Sequence, residues 1–179
     1  MNKIFDPDAS FRNIRVRQHD DTSWEVYLEE QDKGAIALTH SGSGLKTVLL
    51  VLGFIILLPY IEGKPLSEYV FAFEELENNL HPSLQRRLVR YVCERALEHK
   101  FVVFLTTHSS ALIDLLSRRN EAQIVHVTHS GQTARARRVT TYVDNRGVLD
   151  DLDVRASDLL QANGIVWVEG PSDRLYFNR

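Results

Sequence analysis

Three groups of residues in this sequence have the chemistry needed to act on a phosphate ester. A turn of small residues precedes Lys46, two acids stand together as Glu74 and Glu75, and His108 follows an apolar run. Backbone N–H groups at a helix start can bind an anion, a carboxylate pair can hold Mg²⁺ and activate water, and an imidazole can donate to a phosphate oxygen. Together, and in this order, they point to phosphoryl transfer to water.

The small-residue turn, HSGSGLKT, differs from a Walker A phosphate loop at one position. The pattern G-x-x-x-x-G-K-[ST] needs a glycine directly before the lysine, and Leu45 stands there. We therefore expect no conventional phosphate loop. The turn does open an apolar segment, so its N–H groups could still face a phosphate that small side chains allow to approach; a capped helix start without a ligand is the alternative. The turn consists of Ser41, Gly42, Ser43 and Gly44.

The acids and the histidine close two apolar runs that a helix separates. Tyr69–Glu75 and Phe101–His108 read as strands. His81–Lys100 has the i, i+4 apolar spacing of an amphipathic helix, with Pro82 in its first turn. This order predicts a parallel strand–helix–strand unit whose apolar strands are covered on both faces.

Ligands of open α/β sheets gather at the carboxyl ends of the strands, and both groups fall there. One carboxylate of Glu74 and Glu75 would hold Mg²⁺, and the other would orient and deprotonate an attacking water. His108 would reach the same crevice from the next strand. The alternatives are ordinary charges at a strand end and a structural histidine.

The flanking segments predict further elements. Ser23–Glu30 alternates as a strand, and GAIALTH is a second strand candidate. Leu45–Leu58 reads as a helix buried on most sides, and SSALIDLLSRR as a helix capped by Ser109 or Ser110. Gln123–Val143 reads as two strands around an SGQT turn.

The segment ARARRV is the local basic cluster of the sequence. On an alternating strand, Arg135 and Arg137 share one face and Arg138 lies on the other. These arginines could contact a DNA backbone. A solvated strand edge is the alternative that the sequence favours.

Composition bounds the class of protein. The chain has 179 residues, 44 % hydrophobic and 25 % charged, with a net charge of −3, which suits one soluble domain with part of a second and leaves any nucleic-acid site to a local patch. The single cysteine, Cys93, and the lack of a secretory signal predict a cytoplasmic protein. Thr47–Ile61 is shorter than the roughly 20 residues that span a bilayer, so we expect a core helix and no membrane partner.

Four stretches together resemble one family. LTHSGSGLKTVLLVL, FAFEELENNLHPSLQRRL, FVVFLTTHSSALIDLL and IVWVEGPSDRLYF, within residues 36–179, are similar to the OLD family of ATP-dependent nucleases. That family joins an ABC/SMC-like ATPase core to a Toprim nuclease domain, and its members often act in defence against phage. The resemblance implies ATP and Mg²⁺ as cofactors, a homodimer or higher oligomer formed through the ATPase core, and DNA as a partner of the intact protein.

The resemblance also implies a role for each motif residue. Glu74 takes the Walker B metal position, Glu75 the catalytic-base position and His108 the switch-histidine position. Glu169 matches the first acid of a Toprim domain, a metal ligand or general base, and Asp173 stands where a second metal-binding acid is frequent. A signature-like loop would contact the γ-phosphate of a nucleotide held by the opposite subunit, through Ser41, Gly42, Ser43, Gly44 and Lys46.

The implied fold is α/β: the carboxyl-terminal half of an ABC/AAA-type P-loop ATPase with a mostly parallel sheet, plus the first strand of a Toprim domain. Residues 1–148 would be the partial ATPase core, with Glu77–Asn79 as a D-loop near the dimer interface; 149–163 would be a linker and 164–179 the start of the Toprim domain. The sequence has no Walker A lysine and no later Toprim acidic motif. We therefore expect this chain alone neither to hydrolyse ATP at a useful rate nor to cut DNA.

Two other functions remain open. A RecF- or SMC-like DNA-binding ATPase would keep the ATPase without the nuclease, and Glu169 is the residue that separates the two readings. A non-catalytic interaction module would keep the dimer surface without the chemistry.

Overall fold

The computed structural model describes residues 1–18 and 20–139, which form strands and helices in mixed order. The first elements are α1 (Asn2–Phe5), β1 (Phe11–Gln18), β2 (Trp24–Glu30) and β3 (Gly34–Ala37). A long helix follows as α2 (Ser43–Leu52), a π-helical turn (Gly53–Leu57) and α3 (Leu58–Glu62). The remainder consists of β4 (Val70–Glu74), α4 (Pro82–His99), β5 (Val102–Thr106), α5 (Ser110–Ser117), β6 (Val125–Ser130) and β7 (Thr133–Arg138). Short 3₁₀ turns occupy Leu38–His40 and Leu66–Glu68.

The first three strands form an antiparallel sheet in the order β1–β2–β3. The predicted strand at Ser23–Glu30 is present as β2, and GAIALTH contributes β3. Strand β1 was not predicted, although Ile14 and Val16 alternate with arginines as in a strand; only Phe11 of this strand is buried. Leu28 of β2 and Ile4 of α1 are fully buried, so this sheet joins the common core.

The parallel strand–helix–strand unit is present as β4–α4–β5. Val70 pairs with Val102 at one end of the pair and Glu74 with Thr106 at the other. Helix α4 begins at Pro82, whose fixed φ suits a first turn, and its N-cap His81 accepts a hydrogen bond from the Ser83 N–H. Leu88, Val89 and Val92 of α4 are buried in the same cluster as Phe71 and Phe101, so the helix covers one face of the two strands.

The other face of β4–β5 is open, which corrects the prediction that both faces are covered. Val70, Val102 and Phe104 alternate with the buried positions and are 51–65 % exposed. Apolar strands of this kind are normally covered on both sides. Within residues 1–18 and 20–139 the sheet has these two strands and helical cover on one side.

The long helix Ser43–Glu62 is buried along one side and exposed along the other, so the prediction of burial on most sides was wrong. Val48, Val51 and Ile55 are fully buried. The exposed apolar side chains are Leu50, Phe54, Ile56, Leu57, Tyr60 and Ile61. By length and composition this helix could cross a membrane, and 28 % of its most apolar window is buried.

Helix α5 and the hairpin β6–β7 complete the described chain. Ser109 is the N-cap of α5, one of the two predicted positions, but its side chain makes no capping hydrogen bond. The two strands around the SGQT turn are confirmed as the antiparallel pair β6–β7, which turns at Gly131 with φ of 60°. The predicted linker 149–163 and Toprim segment 164–179 lie outside the described residues.

Candidate functional site

Glu75 and His108 meet at the carboxyl ends of the two parallel strands. The register pairs Glu74 with Thr106, so Glu75 and His108 emerge from neighbouring strands at the same edge. His108 Nε2 lies 3.3 Å from Glu75 Oε1. The imidazole is 74 % exposed and the carboxylate 38 % exposed, so both groups remain accessible to a ligand in solution or on another subunit.

Glu75 adopts a backbone conformation that non-glycine residues rarely use. Its φ is 44°, in the left-handed region, where a side chain costs about 1–3 kcal/mol unless its surroundings hold it. Its N–H donates to the Thr106 carbonyl at 3.1 Å, and its Oε2 accepts from Asn78 Nδ2 at 2.6 Å. Strained residues of this kind concentrate at functional sites, and here the strained residue is the one whose carboxylate contacts His108.

Glu77 joins the loop after β4 to the loop after β5. Its side chain is buried, and its Oε1 accepts hydrogen bonds from the Thr107 hydroxyl and from the His108 N–H, the latter at 2.9 Å. Its Oε2 has no hydrogen-bond partner among the described residues. The carboxylate therefore fixes the backbone of the segment that carries the imidazole.

Gln85 of α4 extends this connection. Its Nε2 donates to the Leu80 carbonyl at 2.9 Å, and its Oε1 accepts from the Ser109 hydroxyl at 2.8 Å. The Ser109 N–H in turn donates to Thr107 Oγ1 at 3.0 Å. Side chains 24 to 31 residues apart in sequence thus connect the two loops and the first turn of α4.

The small-residue turn lies against the same loop. Helix α2 starts after Gly42, and no side chain caps it. A Cβ on Gly44 would stand 3.1 Å from Leu80 Cδ2 and 3.6 Å from the Asn79 carbonyl oxygen. Gly44 therefore allows the helix start to pack closely on the Glu75–Leu80 loop.

The polar atoms of the turn are partly occupied and partly exposed. The Ser41 hydroxyl donates to the Leu38 carbonyl at 2.7 Å, and Lys46 Nζ donates to the Thr39 carbonyl at 3.0 Å. Gly42, Ser43 and Lys46 are exposed to solvent. The turn is therefore open to an incoming anion, and Lys46 would have to exchange a weak backbone contact for it.

The carboxylates suit Mg²⁺ only with help from other ligands. Glu74 is exposed at the strand end, next to Glu75. No group of three His, Cys, Asp or Glu side chains within residues 1–18 and 20–139 could hold a metal ion. Mg²⁺ typically uses one or two carboxylates together with phosphate oxygens and waters, so Glu74 would be one ligand beside those of a nucleotide and water.

Some of these residues were predicted from the sequence, and others were not. Glu74, Glu75, His108 and the small-residue turn were singled out from their order. Glu77 was placed only by resemblance, while Thr107 and Gln85 were not singled out at all. The available signal was a polar Gln85 next to the apolar stripe of α4. Glu169 and Asp173, the predicted Toprim acids, lie outside the described residues.

Comparison with known proteins gives a family and a fold. A model of the AAA ATPase domain matches residues 2–113. No curated protein sequence matches the chain.

Several solved structures share the fold at low sequence identity. One comes from a study of ATP-driven dimerization and DNA-stimulated activation of SMC ATPases, with 13 % identity, a TM-score of 0.60 and 85 % of each chain covered. The Smc head domain of Pyrococcus furiosus, with an extended coiled coil and bound to the C-terminal domain of ScpA, gives 16 % identity and a TM-score of 0.51 over 85 % of this chain and 35 % of that one. The Smc head domain of Pyrococcus yayanosii, with a coiled coil and joint, has 15 % sequence identity and a TM-score of 0.56. The match covers 84 % of this chain and 27 % of that one. The chain thus has an α/β fold similar to an SMC ATPase head.

Proposed function

The chain belongs to the AAA ATPase domain family, and from this membership we propose that it forms part of an ATPase in which ATP is bound between two subunits and hydrolysed. The observation that carries the proposal is the Glu75–His108 pair, 3.3 Å apart at the carboxyl ends of two parallel strands. The exposed small-residue turn packs on the loop that carries Glu75, so phosphate-binding and water-activating groups belong to one surface.

Each residue has a defined task in this proposal. Glu75 accepts a proton from the attacking water, and His108 donates to the γ-phosphate. Glu74 holds Mg²⁺ which, when bound with ATP, supplies the positive charge that phosphoryl transfer requires. The phosphate of a nucleotide carried by the opposite subunit is bound by Ser41, Gly42, Ser43, Gly44 and Lys46.

The oligomer follows from this division of labour. The sequence given has no G-x-x-x-x-G-K-[ST] motif, so the proposal requires that the intact subunits of the oligomer carry a phosphate-binding loop in another part of the protein. One structure with the same fold comes from work on ATP-driven dimerization of SMC ATPases. We therefore propose a homodimer or higher oligomer formed through the ATPase core, in the cytoplasm.

The finer proposal is an OLD-like endonuclease. Residues 1–148 then belong to the ATPase core, 149–163 to a linker and 164–179 to a Toprim domain, with Glu169 and Asp173 as metal ligands. Its support is the order of the four motif stretches in the sequence. A DNA-associated ATPase of the SMC type, without nuclease activity, is the second candidate, because the similar solved structures are SMC heads.

Substitution of the proposed base tests the ATPase. In the intact protein, Glu75→Gln should lower ATP turnover about 10²–10⁴-fold, as expected for loss of a general base. ATP binding should persist, and light scattering should show an ATP-stabilised dimer that accumulates.

The matched control is Glu68→Gln, a change at an exposed glutamate in the 3₁₀ turn before β4. Its turnover should equal that of the unsubstituted protein. If Glu75→Gln left ATP turnover unchanged, Glu75 would not be the general base and the proposed mechanism would be wrong.

A further inference from the structure

Strand β1 has a free edge that borders a cavity. It stands first in the sheet β1–β2–β3, so within residues 1–18 and 20–139 it pairs with β2 alone. A cavity of about 710 Å³ lies between β1, α1 and α4, and it is lined by Phe11–Ile14 of β1 and by Tyr91, Glu94, Arg95 and Glu98 of α4. Ligand pockets typically measure about 300–1,000 Å³, so the space beside this edge is large enough for side chains of a bound molecule.

The first residue of β1 already shows how this edge binds a peptide group. Asn2 Nδ2 donates to the Phe11 carbonyl, and Asn2 Oδ1 accepts from the Phe11 N–H, both at 3.0 Å. A residue of a neighbouring antiparallel strand would form the same two hydrogen bonds. The side-chain amide of Asn2 therefore takes the place of one strand residue at the start of the edge.

Beyond Phe11 the free edge continues along β1. The Ile14 N–H donates to Asn13 Oδ1 at 2.9 Å and so is directed away from β2. Residues two apart in an antiparallel strand direct their backbone groups to the same side, which places those of Val16 on the free edge as well. The side chains of Ile14 and Val16 are exposed. An added strand would thus find both backbone partners and apolar side chains here.

The charges beside the edge indicate what kind of strand would bind. Lys3 and Arg12 line the cavity and are exposed, and within residues 1–18 and 20–139 neither forms an ion pair. Arg95 differs, because it pairs with Glu98 at 2.8 Å. A nucleic acid, which carries a negative charge at every phosphate, would also meet Glu94 and Glu98 on α4. Single carboxylates of a peptide can reach the two cations without that repulsion.

We propose that the free edge of β1 binds an extended, acidic segment of a partner protein as an added strand. Backbone hydrogen bonds supply the affinity of such an added strand, and Lys3 and Arg12 select carboxylates. A second copy of this chain fits less well, because two paired β1 edges would bring the arginines of both strands together, and like charges across strands are destabilising. The proposal goes beyond the ATPase and requires no nucleotide.

The test is fluorescence anisotropy of the 179-residue chain with a short labelled peptide in which valine and glutamate alternate. The peptide should bind, and its affinity should fall as salt is raised, because exposed ion pairs are screened. The same peptide with lysine in place of glutamate should bind roughly tenfold more weakly. A glutamate peptide methylated at its backbone nitrogens should also lose roughly tenfold, because it cannot donate to the strand edge.

Val16→Pro tests where the added strand binds. Proline is tolerated in an edge strand where its nitrogen faces outward, so thermal unfolding followed by circular dichroism should remain cooperative. Peptide affinity should fall roughly tenfold. Val16→Thr is the matched control, since it retains the N–H, and its Kd should stay within about twofold. If Val16→Pro does not fold, the methylated peptide decides the same question on the unsubstituted chain.

Lys3→Gln/Arg12→Gln tests the preference for acids. This double variant should raise Kd about fivefold and make the affinity less dependent on salt. The matched control is Lys33→Gln/Lys64→Gln, which removes the same charge at exposed positions where each lysine has a carboxylate partner of its own. Its Kd should stay within about twofold, because those lysines do not line the cavity.

Several results would overturn the proposal. They are no binding of the glutamate peptide, equal affinity for the lysine peptide, and unchanged binding by folded Val16→Pro. Displacement of the peptide by a DNA duplex would assign the cations to nucleic acid instead. A dimer of the chain that Val16→Pro dissociates would place a second copy on the edge. Since ATP is absent, these results stand apart from the outcome of Glu75→Gln.

Discussion

At the scale of single residues, Glu77 links the two halves of the candidate site. Its Oε1 receives both the Thr107 hydroxyl and the His108 N–H. Removing a buried acceptor leaves its donors without partners, and each unsatisfied group costs about 1–3 kcal/mol. The position of the imidazole relative to Glu75 therefore depends on a residue that touches neither ring nor ligand.

We predict that Glu77→Ala lowers the free energy of unfolding by about 1–3 kcal/mol, measured by urea denaturation. Glu77→Gln keeps an oxygen acceptor and should lose less. Amide hydrogen exchange at His108 should accelerate in Glu77→Ala, because its N–H loses the carboxylate.

Glu98→Ala serves as the comparison, since Glu98 is exposed and pairs with Arg95 within α4. That change should alter stability by less than about 0.5 kcal/mol. If Glu77→Ala had an equally small effect and left exchange at His108 unchanged, the hydrogen bonds of Glu77 would neither stabilise the fold nor hold the His108 backbone in place.

The order of the residues predicted the Glu75–His108 pair but not what holds it. Acids and a histidine after consecutive apolar runs are visible in one sequence, since parallel strands bring their carboxyl ends together. The contacts of Glu77 and Gln85 span 24 to 31 positions. Such contacts depend on side-chain directions in the folded state, and no spacing rule encodes them.

At the scale of helices and strands, periodicity identified most elements, and burial was less predictable. The parallel unit β4–α4–β5 was predicted from two apolar runs around a helix with i, i+4 spacing, and the hairpin from the SGQT turn. The wrong predictions concern burial by neighbouring elements. The long helix Ser43–Glu62 and the strands β4 and β5 each have an exposed apolar side. Composition shows that a segment can be buried, whereas its neighbours decide whether it is.

Two phenylalanines on opposite faces of the parallel sheet should respond differently to truncation. Phe71 is 7 % exposed and Phe104 is 63 % exposed. Phe71→Ala empties a packed position beside the Phe101 ring, whose centroid is 5.3 Å away, and should cost about 3–5 kcal/mol.

Phe104→Ala should cost less than about 0.5 kcal/mol, because its side chain already faces solvent. Chemical denaturation of both variants gives the comparison. Similar large losses would mean that the outer face of the sheet is covered in solution.

At the scale of the whole molecule, the described residues supply one surface of the proposed nucleotide site, and the proposed nuclease acids lie elsewhere in the sequence. The fold is that of an SMC-like ATPase head, and the choice between a nuclease and a DNA-associated ATPase depends on Glu169. The resemblance to motif stretches suggested the nuclease. The solved structures show the fold, and the match over residues 2–113 shows the AAA ATPase domain family.

In the intact protein, Glu169→Gln should abolish Mg²⁺-dependent cleavage of duplex DNA and leave ATP turnover unchanged, since Toprim carboxylates act on the phosphodiester. Gel electrophoresis of a plasmid substrate and a phosphate-release assay measure the two activities separately. Cleavage that persists in Glu169→Gln would refute the assignment. Failure of the unsubstituted protein to cleave any duplex would favour the ATPase without nuclease activity.

The outer edges of strands β4 and β5, those that face away from each other, have a practical consequence. Among residues 1–18 and 20–139, each of these strands hydrogen-bonds to a single neighbouring strand. Within those residues, the backbone N–H and C=O groups along the outer edge of each strand therefore have no strand to pair with. Exposed strand flanks recruit other polypeptides, and apolar ones do so indiscriminately. Preparations of the chain should therefore be kept dilute and be monitored for fibrous or amorphous precipitate, and co-expression with a polypeptide that occupies those flanks should improve the yield of dispersed material.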